Sequence, residues 1–296
     1  MDDRKFSRNG FFSRLDRLAF FLAAGISFLV YFFTCAPTVS LEDCGELATA
    51  GDYAGVPHPP GYPSWTMCAW VFSRLLSWVS FRGAPNPAWA IAVMSAFWGA
   101  LAAGITAMLV SKSSFDLLAS RRSSSSPAPD PDRGDPVCAL AGVASALVFA
   151  FSPAMWSQST IVEVYSFGQF FMALVLLLAY RWLSRPEDGT LFWAAFVFGL
   201  GLTNYQVLLL ALVPLVLAVL LRDAPLFRDF ALAGIPLALL AGLLKVAATP
   251  DGTPGFLKLP PIDPESPVAG ALDWTYRSDA TGRSLKSVRD AADAAT

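Results

Sequence analysis

Seven stretches of this 296-residue chain are apolar over a length that matches, or nearly matches, the roughly twenty residues a helix needs to cross a bilayer. They are 18–36, 88–110, 137–156, 164–183, 191–206, 207–221 and 229–248. Such runs predict an all-α, polytopic membrane protein with about seven transmembrane helices. Composition agrees, since 55% of residues are hydrophobic and only 15% charged, and the mean hydropathy of +0.51 lies outside the usual soluble range. The fifth and sixth runs are short and nearly continuous. They read either as one long tilted helix or as two spans, and the polar trio Asn204, Tyr205, Gln206 with Pro214 beyond it favours two spans joined by a tight hairpin.

The remaining segments are polar in different ways. Residues 64–81, "SWTMCAWVFSRLLSWVSF", are apolar but carry Arg74 in the middle and three tryptophans, which predicts an amphipathic helix lying in the membrane interface within the first outer loop. Residues 111–136 are rich in serine, proline and aspartate, as a flexible linker would be. The chain thus divides into a cytoplasmic N-terminal segment (1–17), a transmembrane module (18–248) and a polar C-terminal tail (249–296).

Lysine and arginine set the orientation. Arg4, Lys5, Arg8, Arg14 and Arg17 precede the first run; Lys112, Arg121, Arg122 and Arg133 follow the second; Arg181, Arg185, Arg222 and Arg228 mark the next two alternate loops. The positive-inside bias puts all of these, and the N-terminus, in the cytoplasm. A cleaved signal peptide fits residues 1–36 less well, because the apolar stretch is long for one and Pro37 stands where the mature chain would begin. No basic cluster suits nucleic acid. Cys35, Cys44, Cys68 and Cys138 show no paired spacing of a zinc site or disulfide framework.

That topology collects the unusual polar residues at one face. Asp43, Glu46 and His58 lie in the first outer loop; Gln158, Glu163 and Tyr165 at the second outer turn; Asn204 and Gln206 at the third; Lys245 near the outer end of the last span. Ionisable groups at a membrane boundary are costly enough to mark a functional site. Taken alone, Lys245 reads as a snorkelling side chain, and Trp156 and Tyr165 as members of an aromatic belt.

The blocks "TCAPTVSLEDCGELATAGDYAGVPHPPGYPSWT", "NPAWAIAVMSAFWGALAAG", "MWSQSTIVEVYSF" and "FGLGLTNYQ", in this order, resemble a transmembrane family once catalogued as a domain of unknown function. That family has since been linked to protein O-mannosyltransferases of the GT-C class. The resemblance covers about residues 18–222. It implies a membrane glycosyltransferase that moves a sugar, mannose in this family, from a polyprenyl-phosphate donor to a hydroxyl of a secreted or surface protein at the extracytoplasmic face. The family's acid-rich block falls on Asp43 and Glu46, and its histidine-proline block on His58, Pro59, Pro60, Gly61, Tyr62 and Pro63. Where relatives show Thr-Asn-His, this chain has Thr203, Asn204, Tyr205. Relatives also continue beyond a seventh span, so the tail at 249–296 reads as truncated by comparison.

The residues suit that chemistry. An acceptor hydroxyl must lose its proton as it attacks the anomeric carbon, and a carboxylate is a competent general base. Asp43 is the choice for this role. One base suffices for an inverting displacement, whereas retention through a covalent intermediate needs a second carboxylate. Glu46, three residues on, would share a helical face with Asp43 and would hold the acceptor or tune Asp43. His58 is the chain's only histidine, and with Arg74 and Lys245 it would stabilise the leaving phosphate. Tyr62, Glu163, Asn204 and Gln206 complete the expected substrate-binding set. No metal and no cofactor is expected, the lipid-linked sugar phosphate being a substrate. The competing functions are a non-catalytic or truncated membrane subunit and, less well supported because transporters place ionisable groups at the midplane, a transporter.

Overall fold

The computed structural model of the protein describes residues 10–40, 42–121 and 130–246, with side chains as far as 243. The first helix, α1 (Arg14–Thr34), starts where it does because Ser13 and Asp16 form a capping box: Asp16 N–H donates to Ser13 Oγ (3.0 Å) and Ser13 N–H to Asp16 Oδ2 (2.9 Å). Short α2 (Cys44–Tyr53) and α3 (Pro63–Leu75) follow. The long α4 (Pro87–Arg121) is the centre of the bundle and packs against α1, α5 (Pro136–Ala150) and α7 (Tyr165–Ser184).

Small residues make these approaches possible. Ala19 and Ala23 of α1, Ala107 of α4 and Ala146 of α5 form one buried cluster, and Ala96, Ala100, Ala103 and Ala150 pack round the buried Tyr31 in another. Backbones can approach closely along such stripes, which is how helices associate where the surroundings are as apolar as the side chains. Gly142 shows the limit, because a Cβ there would run into the carbonyl oxygen of Ala107.

Four helices are long and apolar enough to span a membrane: α1, α4, α7 and the first twenty residues of α10 (Ala224–Val246). A fifth is obtained if α5 and α6 (Pro153–Ser159), bent by 71° at their junction, are one broken span. The bend has a local cause. Pro153 has no N–H to continue the α5 ladder, and Ser152 restarts the helix by accepting from Met155 N–H. The two short runs become α8 (Asp188–Leu202) and a 3₁₀ segment (Gln206–Ala211) leading into α9 (Leu212–Arg222), separated at Thr203–Tyr205 beside the expected polar trio. At about 1.5 Å per residue, α8 reaches roughly 23 Å, less than the ~30 Å of a hydrocarbon core. Among the described residues the count of full-length apolar helices is therefore four or five rather than seven.

Two expectations are corrected. The helix predicted over 64–81 ends at Leu75; Ser80–Phe81 then pairs with Ala84–Pro85 in a two-residue hairpin turned by Arg82 and Gly83, both at positive φ. Among the described residues the fold is thus helical with one minimal hairpin. The segment 111–136 is not simply a linker, because α4 continues to Arg121. Ser111 Oγ donates to the buried Asp16, Lys112 pairs with Asp116, and Arg14 and Leu15 N–H donate to the carbonyls of Asp132 and Arg133. Residues 122–129 and the tail 249–296 lie outside the described residues.

The chain forms two compact units divided between Phe227 and Arg228. Of the second, the structure describes residues 228–246, the greater part of the apolar helix α10, with Pro236 in its interior.

Candidate active site

The segment after α1 is pinned at Ala36 and Pro37 before it reaches the acids. Ala36 N–H donates to Thr160 O (2.8 Å), and Asn86 Nδ2 donates to Pro37 O (2.6 Å). Glu42 then takes a left-handed conformation (φ 65°), an uncommon state for a residue with a side chain. Asp43 is the N-cap of α2 but its side chain makes no capping bond, and the exposed carboxylate has no hydrogen bond or ion pair among the described residues. Cys44 and Leu47, fully buried, anchor the helix, which leaves Asp43 and Glu46 on its open side.

Glu46 organises the histidine-proline loop. Its Oε1 accepts from His58 N–H (2.6 Å) and its Oε2 lies 3.2 Å from His58 Nδ1; His58 Nε2 in turn lies 3.2 Å from Tyr62 Oη. A carboxylate only accepts, so Nδ1 carries a proton, and in the neutral ring Nε2 accepts from the tyrosine hydroxyl. Gly61 at φ +88° closes the turn back to His58 O, and Pro63 starts α3 at a position that needs no N–H partner. Glu46, His58 and Tyr62 form one linked chain of polar groups.

Glu163, between α6 and α7, is 4% exposed. Its carbonyl accepts from Trp65 Nε1 (3.1 Å) and Ser95 Oγ (3.3 Å), and its Oε2 accepts from Val164 N–H (3.2 Å). Burial pushes its pKa up to about 7; the Val164 N–H partly offsets this, while the neighbouring carboxyl groups of Glu42 and Asp43 push it further up. The Tyr62 phenol is raised as well, first by burial and then by Tyr205, Glu163, Asp43 and Glu46 around it. The first and second turns therefore share one acidic space, with tyrosines in its wall.

The third turn joins it through Asn204, fully buried, whose Nδ2 donates to Val164 O (3.3 Å) and whose Oδ1 is left without a hydrogen bond. Tyr205 packs edge to face on Tyr165, centroids 5.2 Å apart. Gln158 stays at the second turn, where its carbonyl accepts from Ser166. Gln206 opens the 3₁₀ segment as an exposed residue, and no contact ties it to the acids. Arg74 is corrected: it pairs with Asp52 (3.1 Å) at the far end of α2, not with the acidic space. Lys245 belongs to the second unit, and its side chain lies outside the described residues. Glu42 and Tyr205 are the participants that sequence reasoning left out. The adjacency of Glu42 to Asp43 and the aromatic residue in "TNYQ" were the available signals.

A membrane-embedded helical bundle with carboxylates, one histidine and tyrosines gathered at the ends of three loops is the class this geometry defines. Residues 43–226 match the family described as the protein O-mannosyl-transferase TMEM260 N-terminal domain, and the chain belongs to that family. It is 28% identical over 200 residues to protein O-mannosyl-transferase tmem260 of Dictyostelium discoideum, an alignment covering 63% of this chain and 21% of that protein. It is 29% identical over 215 residues to protein O-mannosyl-transferase TMEM260 of Mus musculus, covering 70% of this chain and 26% of that protein. The chain thus spans about a quarter or less of the length of these relatives, and no solved structure matches it.

Proposed function

We propose that this chain is the sugar-transferring membrane module of a protein O-mannosyltransferase of the GT-C class. Its donor is a mannosyl polyprenyl phosphate and its acceptor a serine or threonine hydroxyl, at the extracytoplasmic face, with the N-terminus in the cytoplasm. The observation that carries this reading is Asp43: an exposed carboxylate at the head of α2 with no hydrogen-bond or ion-pair partner among the described residues, three positions from the Glu46 that with Tyr62 orients His58, inside the region that defines the family. In the reaction the acceptor oxygen bonds to the anomeric carbon as the carbon–phosphate oxygen bond breaks. Asp43 takes the hydroxyl proton, and the phosphate leaves with the bonding electron pair. His58, held through Nδ1–H by Glu46, lines the departing phosphate's side of the space, and the Tyr62 hydroxyl beside it donates to that phosphate. Glu163 and Asn204 hold the sugar side of the space from below. Seven crossings result when α5–α6 is a broken span and α8 and the 3₁₀–α9 pair each count as one, with α3 lying in the interface.

The test is transfer of labelled mannose from a polyprenyl-phosphate donor to a protein acceptor by purified protein in nanodiscs. Transfer that Asp43→Asn lowers by at least about 100-fold supports the reading. Donor binding without transfer by the wild type would make the chain a non-catalytic subunit instead. Thr49→Cys labelled from outside cells and Ser184→Cys protected is the expected topology; the reverse would refute the stated orientation.

A further inference from the structure

Along the side of α2 away from His58 runs an open cleft of about 350 Å³ that the chemistry above does not use. Gly45, Ala48, Thr49 and Asp52, one helical stripe at i, i+3, i+4 and i+7, form its floor. The rim is apolar and exposed: Val39 is 50%, Tyr53 78% and Phe81 43% accessible. The polar wall is rigid. Asp52 Oδ1 is held by Ser73 and by Arg74 Nη2, and Asn86 donates to Pro37 O while accepting from Trp89 N–H. A smaller recess of about 120 Å³ continues round Asp52 towards Arg74 and Ser77.

We propose that this cleft is the acceptor subsite and that it holds an extended polypeptide segment bearing the hydroxyl to be modified. The inference rests on the transferase reading. Its occupant follows from the lining. Small residues on the floor leave room for a backbone, exposed aromatic and aliphatic edges take apolar or proline side chains, and fixed polar groups offer hydrogen bonds at no ordering cost. The carboxylate of Asp52 is already neutralised by Arg74, so the cleft is not a cation site. Asp43 is not in its wall, but Val39 and Gly45, which bracket Asp43 in the chain, are. A peptide lying along α2 therefore runs to the N-terminal turn that Asp43 caps. The ten residues of α2 span roughly 15 Å, the reach of four or five extended residues, so the side chain seated between Tyr53 and Phe81 is about four positions from the modified hydroxyl.

The experiment uses the purified full chain in nanodiscs, a serine- and threonine-containing peptide acceptor, and mannosyl polyprenyl phosphate. Thr49→Trp, which fills the cleft from an exposed position, and Tyr53→Ala each raise the acceptor KM at least tenfold, while donor affinity and the rate at saturating acceptor hold. An unchanged acceptor KM overturns the proposal, as does an equal loss of donor affinity, which would make the cleft part of the donor site. A photoreactive phenylalanine at position 49 gives a second readout that needs no turnover. Peptide cross-linking that unlabelled peptide competes away supports the subsite even if the chain transfers nothing, and a lipid adduct in place of the peptide overturns it.

Discussion

Helix α7 begins beside the candidate site and ends twenty residues later in a second polar cluster, and the two ends are built in opposite ways. At the far end three acids each have a donor or a cation. Asp16, 3% exposed, accepts from Ser13 N–H and Ser111 Oγ; Asp116 takes Lys112 and the Tyr180 hydroxyl; Glu187 takes Arg181. Lys112, Arg181 and Arg185 also lie 5.3–5.9 Å from the centre of the Phe11 ring, which fastens the segment before α1 to the bundle. At the near end Glu42, Asp43, Glu46 and Glu163 gather with one histidine, and among the described residues none of the four is paired with a lysine or arginine. Glu42 and Tyr62 sit at positive φ there as well. Buried polar groups are affordable when paired. Paired groups at one end hold helices together, whereas the carboxylates at the other, without a lysine or arginine partner among the described residues, suit the substrate-binding role proposed above.

The sharpest way to break this contrast is to exchange the expected phenotypes. Asp43→Asn removes basicity at nearly constant shape, so turnover falls by at least about 100-fold with little change in melting temperature. Asp16→Ala at the other end strips the cap and leaves Ser111 without its acceptor. It lowers unfolding free energy by about 2 kcal/mol, with the specific activity of the folded fraction unchanged. Should Asp16→Ala abolish turnover without destabilising, or Asp43→Asn unfold the protein, the division into structural and chemical ends is wrong.

A smaller effect separates the ends by pH. Glu163 titrates near 7 when folded, against an ordinary value of 4.5, so the native state binds the extra proton. Stability is then highest below pH 4.5, falls as pH rises through the window to about 7, and levels off above it. Each pKa unit corresponds to about 1.4 kcal/mol at most, and water reaching the open site reduces the observed loss to ~2 kcal/mol or less. Glu163→Gln keeps the contact with Val164 N–H and flattens this part of the profile. Denaturant titrations at pH 5 and pH 8 check it, and an unchanged slope in the variant would assign the pH dependence elsewhere.

How far the sequence announced all this depended on distance along the chain. α1, α4 and α7 were plain because each is a long apolar run with a local start signal, Ser13 for α1 and Pro87 for α4 among them. Asp43, Glu46 and His58 were plain because they fall within one short loop. Glu163 reads from sequence only as one of the substrate-binding set, since nothing near it in sequence says that it is buried. Its burial comes from Trp65 and Ser95, 98 and 68 residues away. The continuation of α4 past position 110 was hidden for the same reason. Its serines and charges look like a linker until Asp16 and Tyr180 arrive to pair with them. Arg74 reads as a site cation from sequence because nothing near it announces the pairing with Asp52, 22 residues away. The bend at Pro153 was lost inside an apolar run that hydropathy alone treats as continuous.

The finest test concerns the last link of the polar chain. Tyr62 Oη is 3.2 Å from His58 Nε2, and the tyrosine ring is held by its place at the head of α3, 7% exposed, edge to face with the imidazole. Tyr62→Phe leaves that packing intact and removes one hydroxyl. If the hydroxyl only packs, turnover is unchanged at every pH. If it orients the imidazole and later donates to the leaving phosphate, the loss of one neutral hydrogen bond, about 1 kcal/mol, lowers turnover roughly fivefold. Glu46→Gln then serves as the paired control. It keeps an acceptor for His58 N–H but removes the carboxylate charge facing Nδ1, so turnover falls further than in Tyr62→Phe. Turnover unchanged in both variants would mean that the ordered chain from Glu46 to Tyr62 is architecture like the far end of α7.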